Sequence, residues 1–321
     1  MKEVCLNLSE CPALGDLICA TPTIRKLSEA YEQPIIVVSP IPELFKNLSY
    51  VKASYKSSSI DWDYFNHHFI MHNSFTNVGK KNERGIEMKH NTMDIRQYHA
   101  IQLGFMLNKN EMECDYIPTE DCTISIPQKY VLIHPVQTWA NRTWAAEKWM
   151  DLVKQLNDDG IYVVSIGKDS SETGFFNVDK PVFNFDIPYG MNLMNKTSIS
   201  ECYYLIRNAV CFITMDSGLL HLAGTTRTPI IQLGSAINPE LRRPYRDGYH
   251  RDCHYLEGDC RLHCCSDMKY GVKEWGSIQG VQPLIGCLEN KETFECHPDV
   301  DSVYILTSAI YAKATDNITT L

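Results

Sequence analysis

Apolar residues along the chain gather into short continuous runs separated by amphipathic or polar stretches. The clearest runs are PIIVVS (Pro34 to Ser39), YVLIHP (Tyr130 to Pro135), IYVVSIG (Ile161 to Gly167), VCFITM (Val210 to Met215) and PIIQLG (Pro229 to Gly234). Runs this short, rich in β-branched residues, are the pattern of strands buried on both faces. VCLNL near the start, a segment at Val51 and HHFIMH (His67 to His72) read as further strands. Between them the periodicity becomes helical. Ile24, Leu27 and Tyr31 share a face of a helix that follows the turn at Gly15 and runs to about Ala30. Other helices are expected around Glu43 to Leu48, from the cap at Asp94 to about Leu107, over Glu147 to Asp158, over Ser200 to Asn208, and from about Ser217. The polar segment from Ser74 to Met93 reads as a loop. Strands alternating with helices predict parallel sheets with right-handed crossovers, and ligands bind such sheets at the carboxyl ends of the strands.

The alternation runs through twice, with a polar stretch near Pro118 to Ser125 between the passes. A chain of 321 residues suits two domains of ordinary size. The expected division is a Rossmann-like domain over 1–122 and a second over 123–305 carrying a Cys-rich segment at 253–296. A last helix over 306–321 would pack back on the first domain. The net charge of -9 argues against nucleic-acid binding through phosphate neutralisation. No run approaches the about 20 apolar residues of a membrane helix, and Glu3 and Glu10 interrupt any signal-like pattern. A cytoplasmic location is therefore expected. Of the 13 cysteines, Cys5, Cys11, Cys19, Cys202 and Cys211 lie in apolar contexts and read as small buried hydrophobes. Cys253, Cys260, Cys264, Cys265, Cys287 and Cys296 crowd into the last quarter. In a reducing compartment such crowding points to metal before disulfides. His67, His68 and His72 lie along one strand without a matching carboxylate pattern and read as ordinary.

Three stretches carry candidate chemistry. In ITMDSGLLHLAGTTRTP, a buried strand delivers Asp216 to a helix starting at Ser217 and Gly218. Exposed N–H groups there, with no bulky side chain at Gly218, suit a diphosphate, and the Ser217 hydroxyl can add a further hydrogen bond. Asp216 reads equally as a helix cap. In GDLICATPTIRKL, Asp16 stands between the first strand and first helix, where a carboxylate can take a proton from an acceptor hydroxyl, or simply cap the helix. In NRTWAAEKW, Arg142 is a cation that can stabilise a departing diphosphate, against the alternative of a solvated surface residue. Trp144 and Trp149 read as core rather than as sugar platforms.

In this order the stretches resemble glycosyltransferase family 9, the ADP-heptose-type heptosyltransferases. GDLICATP matches that family's Gly-Asp-x-x-x-x-x-Pro pattern, Arg142-Thr143-Trp144 its basic residue two before a Trp, and Asp216 to His221 its Asp-Ser-Gly-x-x-His stretch. NLMNKTSISECYYLI, from Asn192, is similar to the segment before that last motif. The resemblance implies GT-B architecture and an inverting transfer of a sugar, heptose from ADP-heptose first, onto a hydroxyl of a glycan or protein. It implies Asp16 as base, Arg142 on the diphosphate, Ser217 and Gly218 cradling it, and Asp216 on sugar hydroxyls, with His221 facing the nucleotide sugar or packed in the core. Glu172 falls where the family places a carboxylate on the ribose. Arg142 departs from the lysine common at its position. The region from Pro244 through FECHPDVDSV looks like the autotransporter protein-O-heptosyltransferases, which carry a metal-binding cysteine finger there. Cys260, Cys264, Cys287 and Cys296 are the expected ligands of a structural zinc or iron, with Cys253 and Cys265 as substitutes. No catalytic metal is expected. A sugar-nucleotide-binding protein without transfer activity and a DNA-modifying transferase of the same fold are the alternatives.

Overall fold

The computed structural model describes residues 3–11, 13–60, 62, 65, 67–72, 93–135, 142–168, 185–235, 237–260 and 295–319. The chain divides into two compact units. The first holds residues 1–120 and 240–251, the second residues 121–239 and 252–321.

In the first unit, β1 (Val4–Glu10), β2 (Ile35–Val38), β3 (Val51–Tyr55) and β4 (His67–His72) form a parallel sheet in the order β3-β2-β1-β4. All four β2 residues are buried, as a continuous apolar run requires. The single helix expected after Gly15 is two. A six-residue α1 (Leu14–Cys19) ends at Ala20, and α2 (Thr21–Ala30) starts afresh with Pro22 in its first turn, where a missing N–H costs nothing. The segment at Glu43 is a 3₁₀ turn, Pro42–Leu44, rather than an α-helix. α3 (Ile95–Gln102) is capped by Asp94, whose carboxylate accepts from the Arg96 N–H at 2.9 Å. It stops short of Leu107 because Gly104 takes φ 77°, a conformation that ends a helix. Arg96 is fully buried. Its side chain grips Asp94, donates to the Arg243 carbonyl at 2.9 Å and lies 4.7 Å from the centre of the Tyr245 ring. That grip ties residues 240–251 into the first unit.

In the second unit, β5 (Val131–His134), β6 (Val163–Ser165), β7 (Gly190–Asn192), β8 (Cys211–Thr214), β9 (Ile230–Leu233) and β10 (Cys253–Leu256) form one parallel sheet. Its order is β10-β9-β8-β5-β6-β7, the doubly wound arrangement in which strand order reverses between the first and fourth strands, here β5 and β8. The helices are α4 (Ala146–Asp158), α5 (Ile199–Asn208), α6 (Gly218–Gly224) and α7 (Val300–Thr319). α5 opens with a reciprocal capping box between Ser198 and Glu201. α7 is longer than expected and belongs to the second unit, against α4, with Val303 buried beside Trp149 and Leu152 in the core. That core also takes Trp144, Val131, Val163 and Ile213, so both tryptophans are core residues. Their rings meet edge to face at 4.9 Å. Two short edge strands, β7 and β10, add to the strands expected from the apolar runs. Among the described residues no helix is long and apolar enough to cross a membrane.

Candidate functional site

Strand order reverses between β5 and β8, the place where sheets of this kind take ligands at their carboxyl ends, and the side chains delivered there are polar. β5 ends in His134, β8 ends in Thr214, and Asp216 and Ser217 follow before α6. Strand pairing sets His134 directly beside Thr214. Ser217 caps α6 in extended conformation, its hydroxyl accepting from the Leu220 N–H at 3.4 Å. Asp216 is 3% exposed and faces two partners. Arg142 Nη1 donates to Oδ2 at 3.1 Å, and His221 Nε2 lies 3.9 Å from Oδ1. The Arg142 side chain keeps 18% exposure, so the pair has one end buried and one end open to solvent. A buried carboxylate requires such a partner, since desolvation otherwise opposes its charge. Four expected residues, Arg142, Asp216, Ser217 and His221, are thus assembled at one place, with Gly218 opening α6. Glu172 lies outside the described residues.

His134 and Thr214 were not singled out in the sequence reading. His134 Nδ1 lies 2.9 Å from Thr214 Oγ1 and 3.2 Å from Ser217 Oγ, and the two hydroxyls are 3.3 Å apart. Burial pushes the imidazole down to about 3, so the ring is neutral throughout the neutral pH range. Gly167, at the end of the neighbouring strand β6, leaves room for it. A Cβ there would stand 2.8 Å from His134 Cδ2, and its φ of 139° is open to glycine alone. The signal that could have found this cluster is a polar residue ending each of two apolar runs, in YVLIHP and VCFITM.

In the first unit, Asp16 stands in the first turn of α1 and is buried. The thiol of Cys11 is pushed up by burial and then by the charges of Asp16 and Glu10. The Tyr98 phenol is pushed up by burial and then by Cys11 and Asp16. Asp16 is therefore near enough to both groups for its charge to oppose their ionisation. His67 and His68 of β4 pack against aromatic rings, His68 stacked on Trp62 at 4.4 Å and His67 5.2 Å from Tyr31.

Of the expected metal ligands, Cys260 is partly exposed and Cys296 buried, while Cys264 and Cys287 lie outside the described residues. The backbone around the two described cysteines is closely packed. Gly258 N–H donates to the Cys296 carbonyl at 3.0 Å, and a Cβ on Gly258 would stand 2.1 Å from the Glu295 carbonyl oxygen. Among the described residues no three His, Cys, Asp or Glu side chains gather as a metal site.

A family model described as glycosyltransferase family 9 (heptosyltransferase) matches residues 58–266, well over half of the chain. The chain belongs to that family. Lipopolysaccharide heptosyltransferase 3 of Escherichia coli K12 is 27% identical over 125 residues, 39% of this chain. That match and those to two further curated heptosyltransferases span only 36%, 16% and 30% of the relatives' own lengths. Among solved structures, the iron-containing dodecameric glycosyltransferase TibC of enterotoxigenic E. coli H10407 aligns over 99% of this chain and 76% of its own, at 14% identity and TM-score 0.65. A second TibC structure holds ADP-D-beta-D-heptose. ADP-heptose lipopolysaccharide heptosyltransferase II of E. coli aligns over 98% of this chain and 99% of its own, at 14% identity and TM-score 0.61. The fold is accordingly the GT-B class, two α/β units each built on a parallel sheet.

Proposed function

We propose that the protein is an inverting glycosyltransferase that moves heptose from ADP-heptose to a hydroxyl of a glycan or protein acceptor. The observation that carries this reading is the Arg142–Asp216–His221 cluster at the order reversal of the second sheet, in a chain of a heptosyltransferase family. A nucleoside diphosphate gains negative charge as it departs, and Arg142 with the N–H groups of Ser217 and Gly218 would oppose that charge. Asp216, held by Arg142, would take the hydroxyls of the transferred sugar, beside His221. Asp16 would receive the acceptor proton as its oxygen attacks the anomeric carbon, in a single displacement that inverts that centre. Glu172 is assigned to the ribose on family resemblance alone.

Support for the sugar nucleotide comes from the TibC structure with ADP-D-beta-D-heptose, a protein of the same fold. The decisive assay is ADP release from ADP-heptose and other nucleotide sugars, with wild type and Asp16→Asn side by side. ADP released by wild type and lost in the variant is the expected result. Binding of ADP-heptose with no turnover, with and without acceptor extracts, would sink the transferase and leave a binding protein.

A structural zinc or iron held by Cys260, Cys264, Cys287 and Cys296 is part of this proposal. Its support is the tight backbone packing of residues 258 and 295–297, next to two of the four thiols, and the iron described for TibC. Four thiolate ligands would leave no position for substrate, so the metal's contribution would be to fold this region. Elemental analysis of purified protein tests it, with about one equivalent of zinc plus iron expected.

A further inference from the structure

We infer that His134 is a positioning residue that sets the direction of the Ser217 hydroxyl, so that this hydroxyl donates to the diphosphate of the bound nucleotide sugar. The inference rests on the donor site proposed above and follows from the protons available in the cluster.

Thr214 Oγ1 lies 3.1 Å from the Met215 carbonyl, the one neighbour of the three that can only accept, and we assign its single proton there. Toward every other neighbour it is therefore an acceptor. His134 Nδ1 stands 2.9 Å from that oxygen, and two lone pairs at this separation would repel each other, so Nδ1 carries the proton. The imidazole is neutral, which leaves Nε2 as the nitrogen without one. Ser217 Oγ, 3.2 Å from Nδ1, then meets an N–H and cannot give its own proton to the ring. It also accepts from the Leu220 N–H at 3.4 Å. Among the described residues its remaining internal acceptor is Thr214 Oγ1 at a long 3.3 Å, so a phosphate oxygen at the strand ends competes for the proton on favourable terms. In the opposite tautomer Nδ1 would take the Ser217 proton, and the serine would turn lone pairs toward an anion. Gly167 guards the arrangement, since any side chain at that position would press on the imidazole.

Two measurements test the inference. The ¹⁵N spectrum of wild type reads the His134 tautomer directly, without ligand or turnover. The Nδ1–H form is expected, and the Nε2–H form overturns the inference. ADP affinity by calorimetry is then measured for wild type, His134→Leu, Ser217→Ala and the double variant. Each single change is expected to weaken ADP by about tenfold, the worth of one hydrogen bond to a charged group. The double variant should be no weaker than either single one, because the imidazole acts through the serine. Independent losses that multiply in the double variant overturn the inference, as does unchanged affinity in His134→Leu. His134→Asn, whose amide can replace the Nδ1–H, should recover most of the loss. It also serves if the leucine variant does not fold, and failure of a folded asparagine variant to recover affinity counts against the inference. Wild type that binds no ADP would instead remove the donor-site reading, while the tautomer would still decide the orientation of the hydroxyl.

Discussion

Asp16 and Asp216 hold comparable places in the two units. Each is buried and follows a strand beside its sheet's order reversal, Asp16 in the first turn of the helix after β1 and Asp216 just before the helix after β8. Their surroundings differ. Asp216 faces the guanidinium of Arg142 and the imidazole of His221, whereas Asp16 lies near a thiol and a phenol whose ionisation it helps to oppose. A carboxylate joined to a fixed cation is suited to holding a ligand in place. On the function proposed above, Asp16 would be the one that exchanges a proton with a substrate. On that proposal similar topology would serve two tasks, and the surroundings rather than the topology would separate them.

The largest expected effect comes from exchanging each aspartate for asparagine. Asp16→Asn should lower turnover by about 10²–10⁴-fold with the KM for ADP-heptose nearly unchanged. Asp216→Asn should raise that KM and lower the melting temperature, because Arg142 loses its buried partner. Steady-state kinetics on both variants checks this, and matching behaviour of the two would break the comparison. Removing the cation comes next. Arg142→Ala leaves a buried carboxylate without its guanidinium and should cost about 2–3 kcal/mol in chemical denaturation, along with ADP affinity. Arg142→Lys should recover part of both.

These residues were legible to different degrees. Asp16, Arg142 and Asp216 stood out because each belongs to a local stretch whose residue types and spacing carry meaning. The strands β2, β5, β8 and β9 were legible because burial on both faces demands unbroken apolar runs. β7, Gly190–Asn192, is a half-buried edge and carries no such run. The break between α1 and α2 was marked by Pro22, but Ile24, Leu27 and Tyr31 maintain a helical period just beyond it and hid the interruption. His134 and Thr214 are 80 residues apart, and only the pairing of β5 with β8 joins them. The attachment of residues 240–251 to the first unit likewise depends on contacts across more than a hundred residues, such as Arg96 with Arg243, which no local pattern encodes.

Two smaller effects sharpen the comparison on the side of the second unit. Gly167→Ala combines a disallowed φ with a clash against His134 and should cost about 1–3 kcal/mol, read from the denaturation midpoint, with a weaker hold on ADP. The acid limb of stability should also carry the signature of His134. Its folded value is depressed to about 3 from 6.5, so between those values the unfolded chain binds the extra proton. Stability from this group is complete above pH 6.5 and is lost as pH falls toward 3. His134→Asn should flatten that part of the pH profile, and an unchanged slope would show that other groups govern it.

The excursion of residues 240–251 bears on how the protein can be cut. Because the polypeptide leaves the second unit, visits the first and returns, no single scission separates the two into contiguous pieces. A fragment ending at residue 120 would keep Arg96 and Asp94 but surrender the Arg243 carbonyl and the Tyr245 ring that cover the guanidinium. Its interior would then hold a cation stripped of half its shelter. Attempts to express the first unit for separate study should therefore graft residues 240–251 onto its end through a flexible spacer, and circularly permuted genes are a better route to dissecting this protein than truncated ones.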